Sequence, residues 1–437
     1  MSILAAAAFL VATVLPAQAV TLLRDPDIEH ALKQLAKPVL TAAGLSSART
    51  RILVVDDRTL NAFVIDANHI FIHSGLISRL QTAEELQAVI AHEAAHIANG
   101  HIARRVLNAR TAKTAAGIGL ALAAAVAASG GSSKAAAALG IGISSSAGRV
   151  FMGHTRAEES AADQSSVRYM ARGNVDPHGA VRVMELFSGQ DLVSAARQDP
   201  YARTHPMSRT RLRHVKALAD AYGGKINPDP AAAYWFSRVK GKLTAFQRAP
   251  KWTRQRAGES AAEDIRLMRL AVAYHRDSNT SKAVATMKSL LALKPKDPYY
   301  HELYGQILLE SRQMKAALTA YKNAVNLASR DALILGSYGH ALIVTGNAKA
   351  ALPVLEKARA RDGQDARVLR DLAQTYATLK NPGMASLVTA ERYALQGRMK
   401  DAGIHAKRAA GLLPRGSTGW QRAQDVLSAA ETASKKK

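Results

Sequence analysis

The pentad His92-Glu93-Ala94-Ala95-His96 holds the residues of this chain best placed by type and spacing to do chemistry. On a helix, histidines at i and i+4 project from one face, one turn apart, so both imidazoles can reach one metal ion. The glutamate after the first histidine points into the same cleft, where it can act on a water rather than on the metal. Hydrolysis at zinc needs that set: neutral nitrogen ligands, a coordination position left open for water, and a base to take the water's proton. Such a site also wants a third protein ligand. His101 follows His96 at an offset that does not match H-x-x-G-x-x-H, and it reads as a polar residue, or one that supports a ligand from behind, on the same helix. Further on, Glu159 and Asp163 are again one helical turn apart. That spacing suits a carboxylate ligand beside a second carboxylate that steadies a histidine, although such a segment standing alone reads as a solvated helix face. The last polar group is Thr204-His205-Pro206, with Arg211 six residues after the histidine. A His-Pro in a loop is usually a turn. In a metal enzyme it can approach the open position, and the arginine could stabilise an oxyanion.

These groups need elements to hold them. Asp27 to Ala43 has helical spacing of Ile28, Leu32, Leu35 and Val39. Arg51–Val55, Ala62–Ile65 and His69–His73 are rich in β-branched and aromatic residues, the last two flanking a polar Asp66-Ala67-Asn68 turn, and predict a small antiparallel sheet. Thr82-Ala83-Glu84-Glu85 reads as a capping box that opens the helix of the pentad. Leu86, Val89, Ile90 and Ile97 would bury that helix and hold the histidines rigid. A sheet edge just before it offers backbone groups to which an extended peptide can add itself. Residues 114–148 are rich in Ala, Gly and Ser, and their apolar blocks, broken at Ser129–Lys134, are each too short to cross a bilayer. They read as a lid or helical hairpin near the cleft, with a membrane-dipping hairpin as the alternative.

A chain of 437 residues with 48% hydrophobic content supports two packed domains, and the low aromatic share with abundant alanine favours helix. Asn227-Pro228-Asp229-Pro230 marks the boundary, giving domains at 20–228 and 229–437. Beyond it a period of 34 runs through Ala271, Gly305, Gly339 and Ala373, and through Ala283, Ala317, Ala351 and Ala385. Tyr274, Leu308, Leu342 and Tyr376 keep the same interval, as do Met287, Tyr321, Leu355 and Thr389. Small residues where paired helices touch and bulky ones between them are the tetratricopeptide signature, and the irregular last unit, from about Ala390, fits a capping role. The absence of cysteine excludes disulfides, thiolate ligands and a cysteine nucleophile. Residues 1–19 form an apolar run ending in Ala17-Gln18-Ala19, a secretory signal with cleavage after Ala19, though no Lys or Arg precedes the run. The net charge of +25 comes with no nucleic-acid motif, so it reads as solubility and attraction to anionic surfaces, with peripheral membrane contact and no nucleic-acid partner. Lys435–Lys437 read as a disordered tail.

The order HExxH, then R-x-x-E-x-x-A-D, then T-H-P with an arginine six residues after the histidine, resembles the zinc metallopeptidase family of the CAAX prenyl proteases. The repeats, and the stretch from Asn61 to Gly75, are similar to its exported subgroup. The resemblance covers nearly all of the chain after residue 19. It implies an α+β, mostly helical fold: a zincin-like peptidase domain with a small antiparallel sheet, then an all-α tetratricopeptide repeat solenoid. By the resemblance His92, His96 and Glu159 are the ligands of one Zn²⁺ per chain, and Glu93 is the general base. Asp163 is an acid behind them, also described as a proton donor. His205 matches the family's loop histidine, a candidate cap over the zinc, and Arg211 matches the arginine that follows it. Ala161 and Thr155 stand where many relatives carry glutamate and serine, and neither position is a proposed ligand. The implied function is a periplasmic zinc metalloendopeptidase acting on misfolded or stalled envelope proteins, its repeats holding clients or the outer-membrane assembly machinery. The alternative is a periplasmic chaperone or scaffold whose capped zinc site rarely turns over.

Overall fold

The computed structural model describes residues 21–104, 156–190, 194, 197–223 and 226–434. The expected signal segment, the 114–148 hairpin, Thr155 and the lysine tail lie outside them. Helix α1 (Pro26–Ala42) starts where the Asp25 carboxylate accepts the Ile28 N–H at 2.9 Å and Pro26 presets the first turn. Its Ile28, Leu32, Leu35 and Val39 face the core, as their spacing predicts.

Four strands follow the order β1 (Leu22–Leu23), β2 (Arg51–Val55), β4 (His69–His73), β3 (Ala62–Val64) across the sheet. β3 and β4 form the antiparallel hairpin, with Phe63 opposite Phe71 and their rings stacked at 5.1 Å. The central pair is parallel, β2 running beside β4 from Arg51↔His69 to Val55↔His73, so the sheet is mixed where an antiparallel one was expected. The reason is burial. Ile52–Val55 and Ile70–His73 are enclosed and mostly apolar, so both strands need neighbours on both sides. The chain therefore passes β3 out to the edge and returns β4 into the gap.

After α2 (Ser74–Arg79), helix α3 (Ala83–Ala98) carries the pentad. Thr82 Oγ1 accepts the Glu85 N–H at 3.4 Å, while Glu85 Oε2 accepts the Gln81 N–H at 2.7 Å, one residue earlier than in the standard capping box. From Leu86 to His96 every residue of α3 is buried, so the helix is rigid on all faces. Gly100, at φ +70°, ends it, and the chain re-enters helix at 101–104. His101 thus lies beyond a break and not on the same helix. α4 (Arg156–Arg172) and α5 (His178–Leu186) pack on α3, and α6 (Pro200–Thr204) and α7 (Arg209–Gly223) complete the wall around the pentad.

α8 (Pro230–Gln247), capped by Asp229, gives Ala232, Phe236, Val239 and Leu243 to the core shared with α1 and α3, and Ala245 to the core of the repeats. The repeats are helix pairs: Glu263–Arg276 with Thr280–Leu293, Pro298–Glu310 with Met314–Leu327, Ala332–Val344 with Ala348–Arg361, and Ala366–Thr378 with Pro382–Leu395. The periodic columns meet as expected. A Cβ on Gly305 would lie 2.9 Å from the Tyr321 ring, and one on Gly339 would lie 2.4 Å from Leu355 Cδ2. Within each pair the chain turns through a left-handed residue at Ser278, Arg312, Gly346 and Lys380. The next such turn, Gly397, comes only half a period later, so the end of the array changes phase before Met399–Leu412 and Thr418–Ser434 close it. Buried ions tie array to peptidase core: Arg238 holds Asp27 at 2.7 Å and Asp297 at 2.7 Å, under the Tyr300 ring, and Arg24 holds Asp362 at 2.6 Å. Among the described residues no helix is long and apolar enough to cross a membrane.

Candidate metal centre

α3 brings His92 and His96 to one face, with Nε2 atoms 3.1 Å apart. α4 crosses them and inserts Glu159, fully buried, with Oε1 3.4 Å from His96 Nε2 and Oε2 3.5 Å from His92 Nε2. The C-terminal end of α6 adds His205, whose Nδ1 is 3.3 Å from His92 Nε2 and 3.1 Å from Glu159 Oε1. One atom from each of the four side chains lies within 4.8 Å of the others. Ligand atoms about 2.0–2.1 Å from a tetrahedral ion stand roughly 3.3 Å from one another, so these separations fit the zinc value. Three nitrogens and a carboxylate oxygen also fit a borderline-soft divalent ion.

Each histidine of the pentad is braced from behind. His92 Nδ1 faces Asp163 Oδ1 at 3.3 Å, and His96 Nδ1 faces His101 Nδ1 at 2.9 Å, one ring donating to the other. Such braces fix the tautomer and aim the other nitrogen forward. The break at Gly100 is what lets His101 fold back onto His96, and Asn99-Gly100 was the sequence signal for it. Asp163 and Glu159 are joined by Arg211. Its Nε and Nη2 form a fork on Asp163 at 2.7 and 2.8 Å, Nη2 also reaches Glu159 Oε2 at 2.9 Å, and Nη1 donates to the Pro206 carbonyl at 2.7 Å.

The electrostatics follow from this packing. Burial alone would neutralise these groups. It does win at His96, whose imidazole is held well below its usual pKa. At Glu159 burial is overcome by His205, His92 and His96, which hold the carboxyl well below the usual range. At Asp163 it is overcome by Arg211 and His92, and the carboxyl is again lowered. His92, between the two carboxylates, is pushed up to about 10 despite burial. The site therefore favours a positive charge where the ligand atoms converge.

Glu93, fully buried, lies beside the cluster, its Oε1 3.4 Å from His205 Nε2. His205 thus faces the ligands with one nitrogen and Glu93 with the other. Its ring packs on Tyr201, centroids 4.5 Å apart, and the Tyr201 N–H donates to the Leu60 carbonyl just before edge strand β3. Tyr201 escaped the sequence reading, because nothing in Pro200-Tyr201 distinguishes it from any buried aromatic. The seven residues singled out in sequence, His92, Glu93, His96, Glu159, Asp163, His205 and Arg211, come together in one buried group.

Residues 23–219 match the model of Peptidase family M48. The chain is 23% identical over 388 residues to the Beta-barrel assembly-enhancing protease of Escherichia coli (strain K12), covering 87% of this chain and 78% of that one. It is 25% identical over 185 residues to the Mitochondrial metalloendopeptidase OMA1 of Schizosaccharomyces pombe, covering 42% of this chain and 51% of the other. Among solved structures, MamA superposes at TM-score 0.31 with 16% identity, covering 40% of this chain and 92% of that chain. YrrB, described as a TPR protein with an unusual peptide-binding site, superposes at 0.31 with 16% identity over 43% of this chain and 100% of that chain. The buried two-histidine, one-carboxylate cluster with a glutamate beside it thus lies on the segment, residues 23–219, that matches the model of Peptidase family M48, in a chain that resembles the beta-barrel assembly-enhancing proteases.

Proposed function

We propose that this chain is an exported zinc metalloendopeptidase, and the observation that carries the reading is the convergence of His92, His96 and Glu159 with Glu93 alongside. Held by those three ligands, zinc would supply Lewis-acid polarisation of a scissile carbonyl and acidification of water. Glu93 takes the proton of the attacking water and passes it to the leaving amine. Asp163 and His101 keep the two imidazoles aimed. Arg211 we read as the group that holds Glu159 and Asp163 in place, since its donors are engaged there, rather than as a partner of the oxyanion. β3 is the edge strand of the sheet, and an extended substrate would add to it only once the groups that bury Ala62, Phe63 and Val64 move aside.

His205 fills the space between ligands and base, which supports its reading as a cap that must leave before water and peptide enter. This supports a second reading, a chaperone or scaffold with a closed site. In either, the repeats hold clients or a partner; the Escherichia coli relative is named for beta-barrel assembly, and we read the clients as misfolded envelope proteins of the periplasm and the partner as outer-membrane assembly machinery. We retain 20–228 as the peptidase domain and 229–437 as the repeat domain, behind a signal cleaved after Ala19.

Zinc quantitation with chelator-sensitive casein digestion tests the enzymatic reading. Glu93→Gln should keep zinc and lose digestion by at least about a hundredfold, the usual share of a general base. Equal digestion by wild type and variant would refute it. His205→Ala should raise digestion if the ring is a cap.

A further inference from the structure

A cavity of about 570 Å³ lies between the β1 segment and the first helices of three consecutive repeats, Pro298–Glu310, Ala332–Val344 and Ala366–Thr378. In a chain of net charge +25 its lining runs the other way. Asp25, Asp56, Glu302, Glu310, Asp365 and Asp371 line it, against Arg24, Arg367 and Arg370. Arg367 pairs with Asp365 at 3.0 Å and Arg370 with Asp371 at 2.9 Å within the lining, His275 holds Glu310 at 2.6 Å, and Arg24 is held by Asp362 at 2.6 Å, which leaves Glu302, among the described residues, as the buried acid without a cation on it.

Glu302 differs from its neighbours. It is 5% exposed, and its Oε1 accepts the Ser337 hydroxyl at 2.9 Å, but its Oε2 is buried without a hydrogen-bond partner. Nearby Lys242 directs its ammonium to Asp25 at 2.9 Å and Asp27 at 3.6 Å instead. Burial pushes the Glu302 carboxyl up to about 7, offset only in part by Lys242. A buried carboxylate oxygen left unpaired is costly, and an incoming cation that donates to it removes the cost. Leu23, Leu243, Phe246, Leu309 and Val368 on the same walls suit the methylenes of a long side chain whose charged end goes to the bottom.

We propose that this cavity receives a lysine or arginine side chain of an extended polypeptide, with Glu302 as the residue that accepts the cation. The proposal rests on the reading of the repeats as a client-binding array. It specifies that clients are gripped at a basic residue, at a place distinct from the metal centre.

The test uses full-length Glu93→Gln protein and fluorescence polarisation of labelled, N-acetylated Gly/Ser peptides that carry one lysine or one norleucine at the centre. The lysine peptide should bind at least tenfold more tightly than the norleucine peptide, and Glu302→Gln should abolish that difference. Equal binding of the two peptides, or a lysine peptide indifferent to Glu302→Gln, overturns the proposal. A norleucine peptide with a free N-terminus distinguishes the other source of an ammonium: if it alone binds, the cavity takes a chain end and the side-chain proposal fails. Should Glu302→Gln not fold, a photocrosslinker at Gln306 on the cavity wall gives a second readout. Capture of the lysine peptide over the norleucine one supports the proposal, and equal capture overturns it. Casein digestion by wild type reports the enzymatic reading separately. Peptide binding without digestion removes that reading alone, and digestion without basic-residue preference removes the pocket alone.

Discussion

Replacing Arg211 by methionine removes the guanidinium that Glu159 and Asp163 share while keeping most of the apolar stem. Glu159 is 0% exposed and Asp163 6%, so neither carboxylate can recruit bulk water in compensation. Removing one partner of a buried charged network costs about 3–5 kcal/mol, because the charge left behind is uncompensated. For a folding unit of roughly 150–250 residues each kcal/mol lowers Tm by about 2–4 °C, so the expected fall is about 6–20 °C. The assay is scanning calorimetry of chelator-treated protein at pH 7, with hydrogen exchange of the α3 amides identifying the transition that contains the site. Arg213→Met, two residues on and exposed, is the control and should stay within about 0.5 kcal/mol of wild type. The pH dependence has a definite sign. Asp163 has a lowered folded-state pKa, so its contribution is present above its unfolded value near 4 and is lost as pH falls through the folded one. An Arg211→Met protein that melts within about 1 kcal/mol of wild type would refute the view that this arginine holds the two carboxylates in place.

Three further outcomes are expected. Gly75→Ala puts a Cβ 2.1 Å from the Arg58 carbonyl oxygen and 2.7 Å from that of Thr59, both backbone, so the 57–60 loop must shift at a cost of about 1–3 kcal/mol or more; an unchanged melting curve would contradict this. His73, enclosed beside Thr59, is lowered by burial from 6.5 to about 4. The unfolded chain takes up that proton first, so stability is full above pH 6.5 and declines toward pH 4 by up to about 3 kcal/mol; His73→Gln should lose this slope, and parallel profiles would count against it. Arg238→Met leaves Asp27 and Asp297 without the cation between them, and limited proteolysis should cut around α8 at least several-fold faster, whereas an unchanged rate means the array is held by other contacts.

Local spacing made much of this legible. The i,i+4 pairs His92/His96 and Glu159/Asp163 report one helical face each, and the 34-residue columns report contacts such as Gly305 on Tyr321, whatever the rest of the chain does. Groups joined across long separations were not legible. Parallel pairing of β2 with β4 depends on which strands are enclosed on both sides, which alternation alone does not state. The engagement of Arg211 by Asp163 and Glu159, 48 and 52 positions away, arises only once α7 lies across α4. The return of His101 to His96 turned on one left-handed glycine. The Asp27–Arg238 pair, 211 residues apart, has no sequence signal beyond two charges at positions that helical spacing assigns to a core.

α8 belongs to two cores, and that has a practical meaning for fragments of this chain. A catalytic fragment ended at the proline-rich junction near residue 228 would leave bare the faces of α1 and α3 that Ala232, Phe236, Val239 and Leu243 cover. Such a fragment should be sticky and poorly behaved, and one extended through Gln247 would cover those faces but bare the side of α8 that packs on the repeats. The same geometry bears on ancestry. A repeat array whose first helix is also a wall of the catalytic unit cannot be lost or exchanged by a clean cut in the gene.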